Sequence, residues 1–258
     1  SRGTIFADTT GAININEYGA YVQVAKKILN DVVKLTASGR YDKNENFKGR
    51  FTPRLTGLVR VAEDNNIRLS YQQAYRFPST QDQWIDLNSP SARLIGGLPQ
   101  FNTYYGFDSN PVYTAESVAA YRGSFAAGSP NPALLEQAKF TAIKPETVQS
   151  YEIGYRGVIG RKLLIDAYYY FSRYNDFLSR IAVARGSSGN PSNAAVELAN
   201  PGTTENLSFP VNSGNTVKAT GWGLSLDYQL PANFVFSSNI SGDQLTNADP
   251  GTITFFNT

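Results

Sequence analysis

The densest group of side chains able to recognise a ligand is FNTYYGFDSNPVY, residues 101–113, where Phe101, Tyr104, Tyr105, Phe107 and Tyr113 stand among Asn and Asp. Rings beside amides and carboxylates suit stacking and hydrogen bonding to a sugar, a peptide or a siderophore. For any single ring, packing of the segment against its neighbours is the simpler use. Arg76, on the polar side of an earlier strand, offers a cation for an anionic ligand or for a nearby acid. These six residues are the candidate ligand-binding set.

No constellation supports catalysis. Asp166, Asp227 and Glu152 fall on polar strand faces, where pairing with arginines is a simpler use of a carboxylate than a tuned acid and base in a cleft. DQLTNADPG supplies Asp243, Asn247 and Asp249 without the regular oxygen spacing of a calcium loop, and reads as an Asn/Asp turn. The 258 residues include no His and no Cys, which removes the ordinary serine triad, thiolate nucleophiles, zinc knuckles and any disulfide framework. The expectation is a protein that is not an enzyme and has no metal or cofactor.

Charge adds a further exclusion. Twenty-three basic and 21 acidic residues are spread along the chain for a net +2, so no basic field suggests nucleic acid as a partner. Charged residues make up 17% and aromatics 13%, with 16 Tyr and 15 Phe, a balance that favours strands over disorder. No apolar run approaches the roughly 18 residues a spanning helix needs, and the opening SRGTIFADTT lacks a basic head followed by an apolar core. Met is absent, initiator included, which suggests an internal piece of a longer product.

The elements that must position these residues are strands. Eight segments alternate in character: 15–26, 32–41, 51–61, 67–77, 146–157, 163–172, 217–230 and 234–240. In the sixth, Leu163, Ile165, Ala167, Tyr169 and Phe171 share one face, and Leu164, Asp166, Tyr168, Tyr170 and Ser172 the other. Alone, that ribbon fits a soluble sandwich or a membrane barrel equally. The connections decide between them, because they run short, longer, short, very long, short, long, short. A sandwich has no reason to keep every second connection tight, whereas a membrane barrel has short turns on one rim and extended loops on the other. The very long connection, from Pro78 to about Pro145, is predicted to hold one short helix with Asn131 as cap and Pro132 in its first turn. On the apolar faces, Tyr155 and Tyr228 fall near short-turn ends and Tyr41, Tyr75 and Phe171 near long-loop ends, as two interfacial girdles would.

SYQQAYRFPS (70–79) resembles the barrel of TonB-dependent outer-membrane receptors, where a strand ending in Arg, an aromatic or small residue, Pro and Ser or Thr precedes a large external loop. GRYDKNENFKGRFTPR (39–54), IKPETVQSYEIGYRG (143–157) and VNSGNTVKATGWGLSLDYQL (211–230) are similar to further barrel stretches, in the family's order. The resemblance covers most of the chain from about Ile15 onward. It implies an all-β fold, an antiparallel transmembrane β-barrel of which about eight strands are visible out of about 22 around a plug, with long external loops. Residues 1–258 would form one partial barrel domain, stopping at TFFNT in a loop before another strand. The family's GxE strand often has Glu where this sequence has Gly223, so a polar contact to the plug is expected to be lost.

The implied function is TonB-dependent active uptake of a nutrient (siderophore, cobalamin, peptide or glycan) through the outer membrane of a Gram-negative bacterium. Implied partners are TonB through an upstream segment, the receptor's own plug, outer-membrane lipid and a surface lipoprotein lid. The plug also offers acids to which Arg76 would pair. Two other classes stay open on the residues alone: a passive or structural barrel without a plug, and a secreted all-β module that binds glycan.

Overall fold

The computed structural model describes residues 14–247 and the two-residue strand Thr252–Ile253. The SRGTIFADTT opening, Asp249 and the TFFNT end lie outside the described residues.

Four strands open the chain, β1 (Glu17–Ile28), β2 (Val33–Asn44), β3 (Arg50–Ala62) and β4 (Asn65–Arg76). A long excursion follows, with α1 (Thr80–Trp84), β5 (Asp86–Asn88), β6 (Arg93–Ile95), α2 (Pro99–Tyr105), β7 (Val112–Thr114), α3 (Ala115–Ala126) and β8 (Gln137–Ala138). The chain then returns through β9 (Glu146–Ile159) and β10 (Leu163–Asn175). A second excursion comprises β11 (Leu178–Gly186), α4 (Ala194–Ala199) and β12 (Thr204–Asn212), before β13 (Val217–Gln229), β14 (Val235–Thr246) and β15 (Thr252–Ile253).

The eight long strands are the eight expected from alternation. They form one antiparallel sheet in the order β1-β2-β3-β4-β9-β10-β13-β14, each pairing with its neighbour along the meander. The sheet is open: among the described residues nothing pairs with the outer edge of β1 or of β14. Register aligns the two faces along most of the sheet, with one shift in the β3–β4 ladder between Arg60 and Ala62. Val33, Val59, Ile67, Tyr155, Ala167, Leu224 and Ile240 lie opposite one another in a single apolar row. Three residues along, Thr36, Thr56, Ser70, Glu152, Tyr170, Gly221 and Asp243 form a row on the other face that is polar apart from its glycine.

Among the described residues no second layer covers the apolar face. Leu35, Leu55 and Ile153 are 49%, 53% and 51% exposed, and no residue of that face belongs to either buried hydrophobic cluster. Burial of apolar surface is worth about 25 cal/mol per Å², so a face this large is unfavourable in water and favourable against hydrocarbon. On the polar face two glycines have a packing role. A Cβ on Gly223 would sit 2.5 Å from the Tyr168 ring opposite it, and Gly221 is covered in the same way by Tyr170. Gly223 therefore makes room for a neighbour's ring.

The two excursions do not hang as loops. Their short strands build a second sheet in the order β5-β6-β12-β11-β7-β8, with β15 also pairing with β11 and with β6 and β12 parallel. Its interior holds Ile95, Phe101, Phe107, Val112, Val183, Leu207 and Phe209, while a smaller cluster of Val118, Tyr121, Ala184, Ala194 and Leu198 lies where α3 and α4 meet β11. This rim domain is fastened to the long sheet. Phe47, in the brief β2–β3 connection, is buried in the larger cluster and stacks on Phe77 at 5.7 Å.

The single helix expected in 129–140 is corrected to a 3₁₀ turn, Pro132–Leu134, although Asn131 does cap it by accepting from the Ala133 amide at 3.2 Å. Gln137–Ala138, farther along the same stretch, is strand. The helices of the excursions are α1 to α4 instead.

Candidate functional site

α2 carries most of the aromatic segment. Pro99 stands in its first turn, and Gly106 ends it in the left-handed region at φ 61°, a conformation glycine takes without strain. The helix turns Phe101 inward, and Phe107 follows it. They are 0% and 5% exposed and sit in the rim-domain core, where Phe107 packs on Phe209 at 5.6 Å. Tyr105 stacks between them, 6.4 Å from Phe101 and 5.7 Å from Phe107. Tyr113, on β7, is half-buried against the smaller cluster. Tyr104 alone presents a broad open surface, at 47% exposure. The expectation of five rings offered to a ligand is thus corrected for Phe101 and Phe107, which are packing residues.

The polar partners of these rings are internal as well. Arg93 Nε donates to Asp86 Oδ1 at 2.7 Å, and the guanidinium lies 5.3 Å from the Tyr105 ring. Burial, and then the Asp86 carboxylate beside it, push the Tyr105 phenol above its ordinary range. Arg180 on β11 reaches the main chain of two strands, donating to Ile95 O at 3.1 Å and Ser208 O at 2.9 Å, with Asp82 of α1 at 3.6 Å. Its loss of hydration lowers its proton affinity, against which Asp82 acts.

Arg76 ends β4 at the junction of the two sheets. Its side chain is exposed, and its NH2 group donates to Glu146 Oε2 at 3.1 Å. Glu146 is buried and also accepts from the Leu178 amide at 2.9 Å, tying the start of β11 to the long sheet. The acid beside Arg76 thus belongs to its own sheet, and the rest of the guanidinium faces solvent.

Beside Arg76 the rim opens. The β3–β4 ladder stops at Arg54↔Gln72, although β2–β3 pairing continues to Asp42↔Arg50 and β4–β9 pairing to Arg76↔Glu146. The start of β3 and the end of β4 therefore separate. Tyr75, expected in a lipid girdle, is corrected here: its hydroxyl meets the Asp42 carboxylate and its ring contacts Phe77 at 4.8 Å. Together with Glu17, Arg40, Lys43, Thr52 and Gln83 it lines a polar recess of about 630 Å³ under α1. Arg40 fixes Asp42 through two bonds of 2.7 Å. Gln83 is buried at the roof, donating to Pro78 O at 2.7 Å and accepting from Asn46 at 2.8 Å. This vestibule presents both charge signs, amides and a phenol, which suits reversible binding of a hydrophilic solute. Apart from Tyr75, its residues were not singled out in the sequence. The available signal was Arg40-x-Asp42, two charges on one strand face next to a connection.

Below the vestibule the polar face carries the expected ion pairs, Arg68–Glu152 at 2.8 Å and Arg156–Asp166 at 3.7 Å, while Asp227 has no partner among the described residues. Exposed pairs of this kind are worth about 0–1 kcal/mol each. Their use is to keep a charged surface ordered.

A family model described as TonB dependent receptor-like, beta-barrel, matches residues 2–257. Among solved structures, the siderophore receptor PirA from Pseudomonas aeruginosa is similar at 13% identity and TM-score 0.57, over 90% of this chain and 35% of that one. A mutant of the ferric enterobactin receptor PfeA from Pseudomonas aeruginosa gives 14% and 0.56 over 88% and 26%. The FrpB iron transporter from Neisseria meningitidis gives 13% and 0.51 over 93% and 28%. Identities this low carry the fold alone. The chain spans 35%, 26% and 28% of those three structures' lengths. Comparison with curated proteins gives no match.

Proposed function

Because this chain belongs to the TonB-dependent receptor-like β-barrel family, we propose that it forms part of the wall and external rim of an outer-membrane receptor that imports a scarce nutrient by energy-coupled transport. The observation that carries this reading is the long sheet itself, apolar and uncovered on one side, polar and ion-paired on the other. Lipid of a Gram-negative outer membrane meets the first side and the bore meets the second. A secreted glycan-binding module would need a second layer over Leu35, Leu55 and Ile153, so the two-solvent reading is favoured.

In this scheme the rim domain and vestibule capture the solute, with Arg76 and Tyr104 as the members of the candidate set still open to it. Tyr105 and Tyr113 shape the wall behind them. A plug and TonB are the implied partners for release, and a surface lipoprotein is a further candidate above the rim. The protein performs no chemical step on its cargo. Siderophore, cobalamin, peptide and glycan are the cargo classes, and a ferric siderophore stands first for testing because the relatives above are named for siderophores and iron.

The test is uptake of labelled ferric siderophores by cells producing the full receptor. Import that disappears on removing TonB or the proton gradient is the expected result. Uptake indifferent to both would mean a passive barrel. Loss of heat-dependent gel mobility, with folding in the absence of detergent, would mean a soluble module.

A further inference from the structure

Cations and acids are distributed unevenly over the polar face of the long sheet. β3 carries Arg50, Arg54 and Arg60 there and no acid, whereas β13 and β14 carry Asp227 and Asp243 and no base. Between them, Arg68, Arg76 and Arg156 are each matched to a carboxylate, where β4, β9 and β10 meet. Arg54 is the member of the basic side that stands midway along its strand without a hydrogen-bond or ion-pair partner among the described residues.

The surroundings of Arg54 are donors. Gln23, Ser38 and Arg54 form one row across β1, β2 and β3, and Thr36 and Thr56 face each other in the next. With Tyr21 they line a recess of about 320 Å³. The Tyr21 hydroxyl donates to Gln23 Oε1, which leaves the Gln23 amide nitrogen free to donate into the recess. The nearby carboxylates are committed, Asp42 to both bonds from Arg40 and Glu152 to Arg68. A guanidinium, an amide nitrogen and three hydroxyls therefore converge with no acid among them.

We propose that this recess is an oxyanion subsite on the wall below the vestibule, taking a carboxylate or phosphate of a small solute. A planar guanidinium matches two oxygens of such a group, and the hydroxyls and the amide supply bonds to the rest. The site is wet, so its affinity falls as salt rises. The inference rests on the polar face lining a bore, since only then does solute reach it. A carboxylate from another segment of the receptor has the same chemistry, and the experiment separates that source from a free anion.

The full receptor, purified in non-ionic detergent at low salt, is titrated calorimetrically with inorganic phosphate and with citrate. Saturable binding is expected for at least one of them, weakened about tenfold or more in Arg54→Gln, less in Ser38→Ala, and unchanged in Arg161→Gln, which alters the β9–β10 turn. Heat-dependent gel mobility of each variant checks that the barrel is folded. Absence of saturable binding by the parent protein overturns the proposal, as does equal weakening in Arg54→Gln and Arg161→Gln. If the parent binds no free anion and Arg54→Gln lowers stability, a carboxylate of the receptor occupies the recess and the proposal fails. Binding needs no energy source, so these outcomes are independent of whether import is driven by TonB.

Discussion

Tyr105, a ring that the sequence offers as a contact for ligand, becomes part of a packed edge. Its phenol is raised above the ordinary range because burial and the Asp86 carboxylate disfavour the phenolate. A group raised in the folded state contributes stability that is complete below its unfolded value, about pH 10, and that is lost as pH climbs toward the folded value. The rim domain is therefore expected to loosen above about pH 10, and Tyr105→Phe to reduce that alkaline loss. Emission of Trp84 in a Trp222→Phe background, followed from pH 8 to 12, reads the difference. Part of this arrangement was legible beforehand: Pro99 and Gly106 bracket α2 with ordinary start and stop signals, and reading them would have placed Phe101 on a helix. Its partners were not legible, because Phe209 and Leu207 come from a strand in the other excursion.

At the scale of elements, the eight long strands were readable because each meets two different solvents, and that difference is written as alternation. β11 has no such pattern. Both of its faces are covered, so Leu178, Ser179, Val183 and Ala184 are all buried in spite of opposite parity, and LSRIAVARG passes for a loop. α3 was missed for a different reason: Gly123 together with Ser117, Val118, Tyr121 and Ser124 dilutes its helical signal. The structure shows that Gly123 is dispensable, since a Cβ there would meet nothing within 4 Å. Gly123→Ala should stabilise the rim domain by roughly 0.5–1 kcal/mol. Thr114, whose side chain accepts from the Ser117 amide at 3.2 Å, is the cap, and Thr114→Ala should cost about 1 kcal/mol. Urea midpoints followed by Trp84 emission would show shifts in opposite directions.

For the whole molecule, the two faces of the long sheet make a direct contrast between neighbouring residues. Leu69 looks to the apolar side near the middle of β4 and Ser70 to the polar side. Leu69→Arg should destabilise the membrane-inserted barrel by about 2–4 kcal/mol and Ser70→Arg by far less. The heat-modifiable fraction after refolding into vesicles measures both, and equal effects would remove the distinction between lipid and bore. The rim domain imposes a separate constraint. β11 pairs with β12 along one edge and with β7 and β15 along the other, so polypeptide from three connections, the two excursions and the segment after β14, is held by a single strand. An epitope grafted into the exposed tips at 128–130 or 187–189 would leave every ladder intact, whereas one placed at Ala182 would unfasten all three connections together. Insertions are accordingly expected to be accepted at those tips and refused along β11, so that variable crests would stand on an unvarying frame.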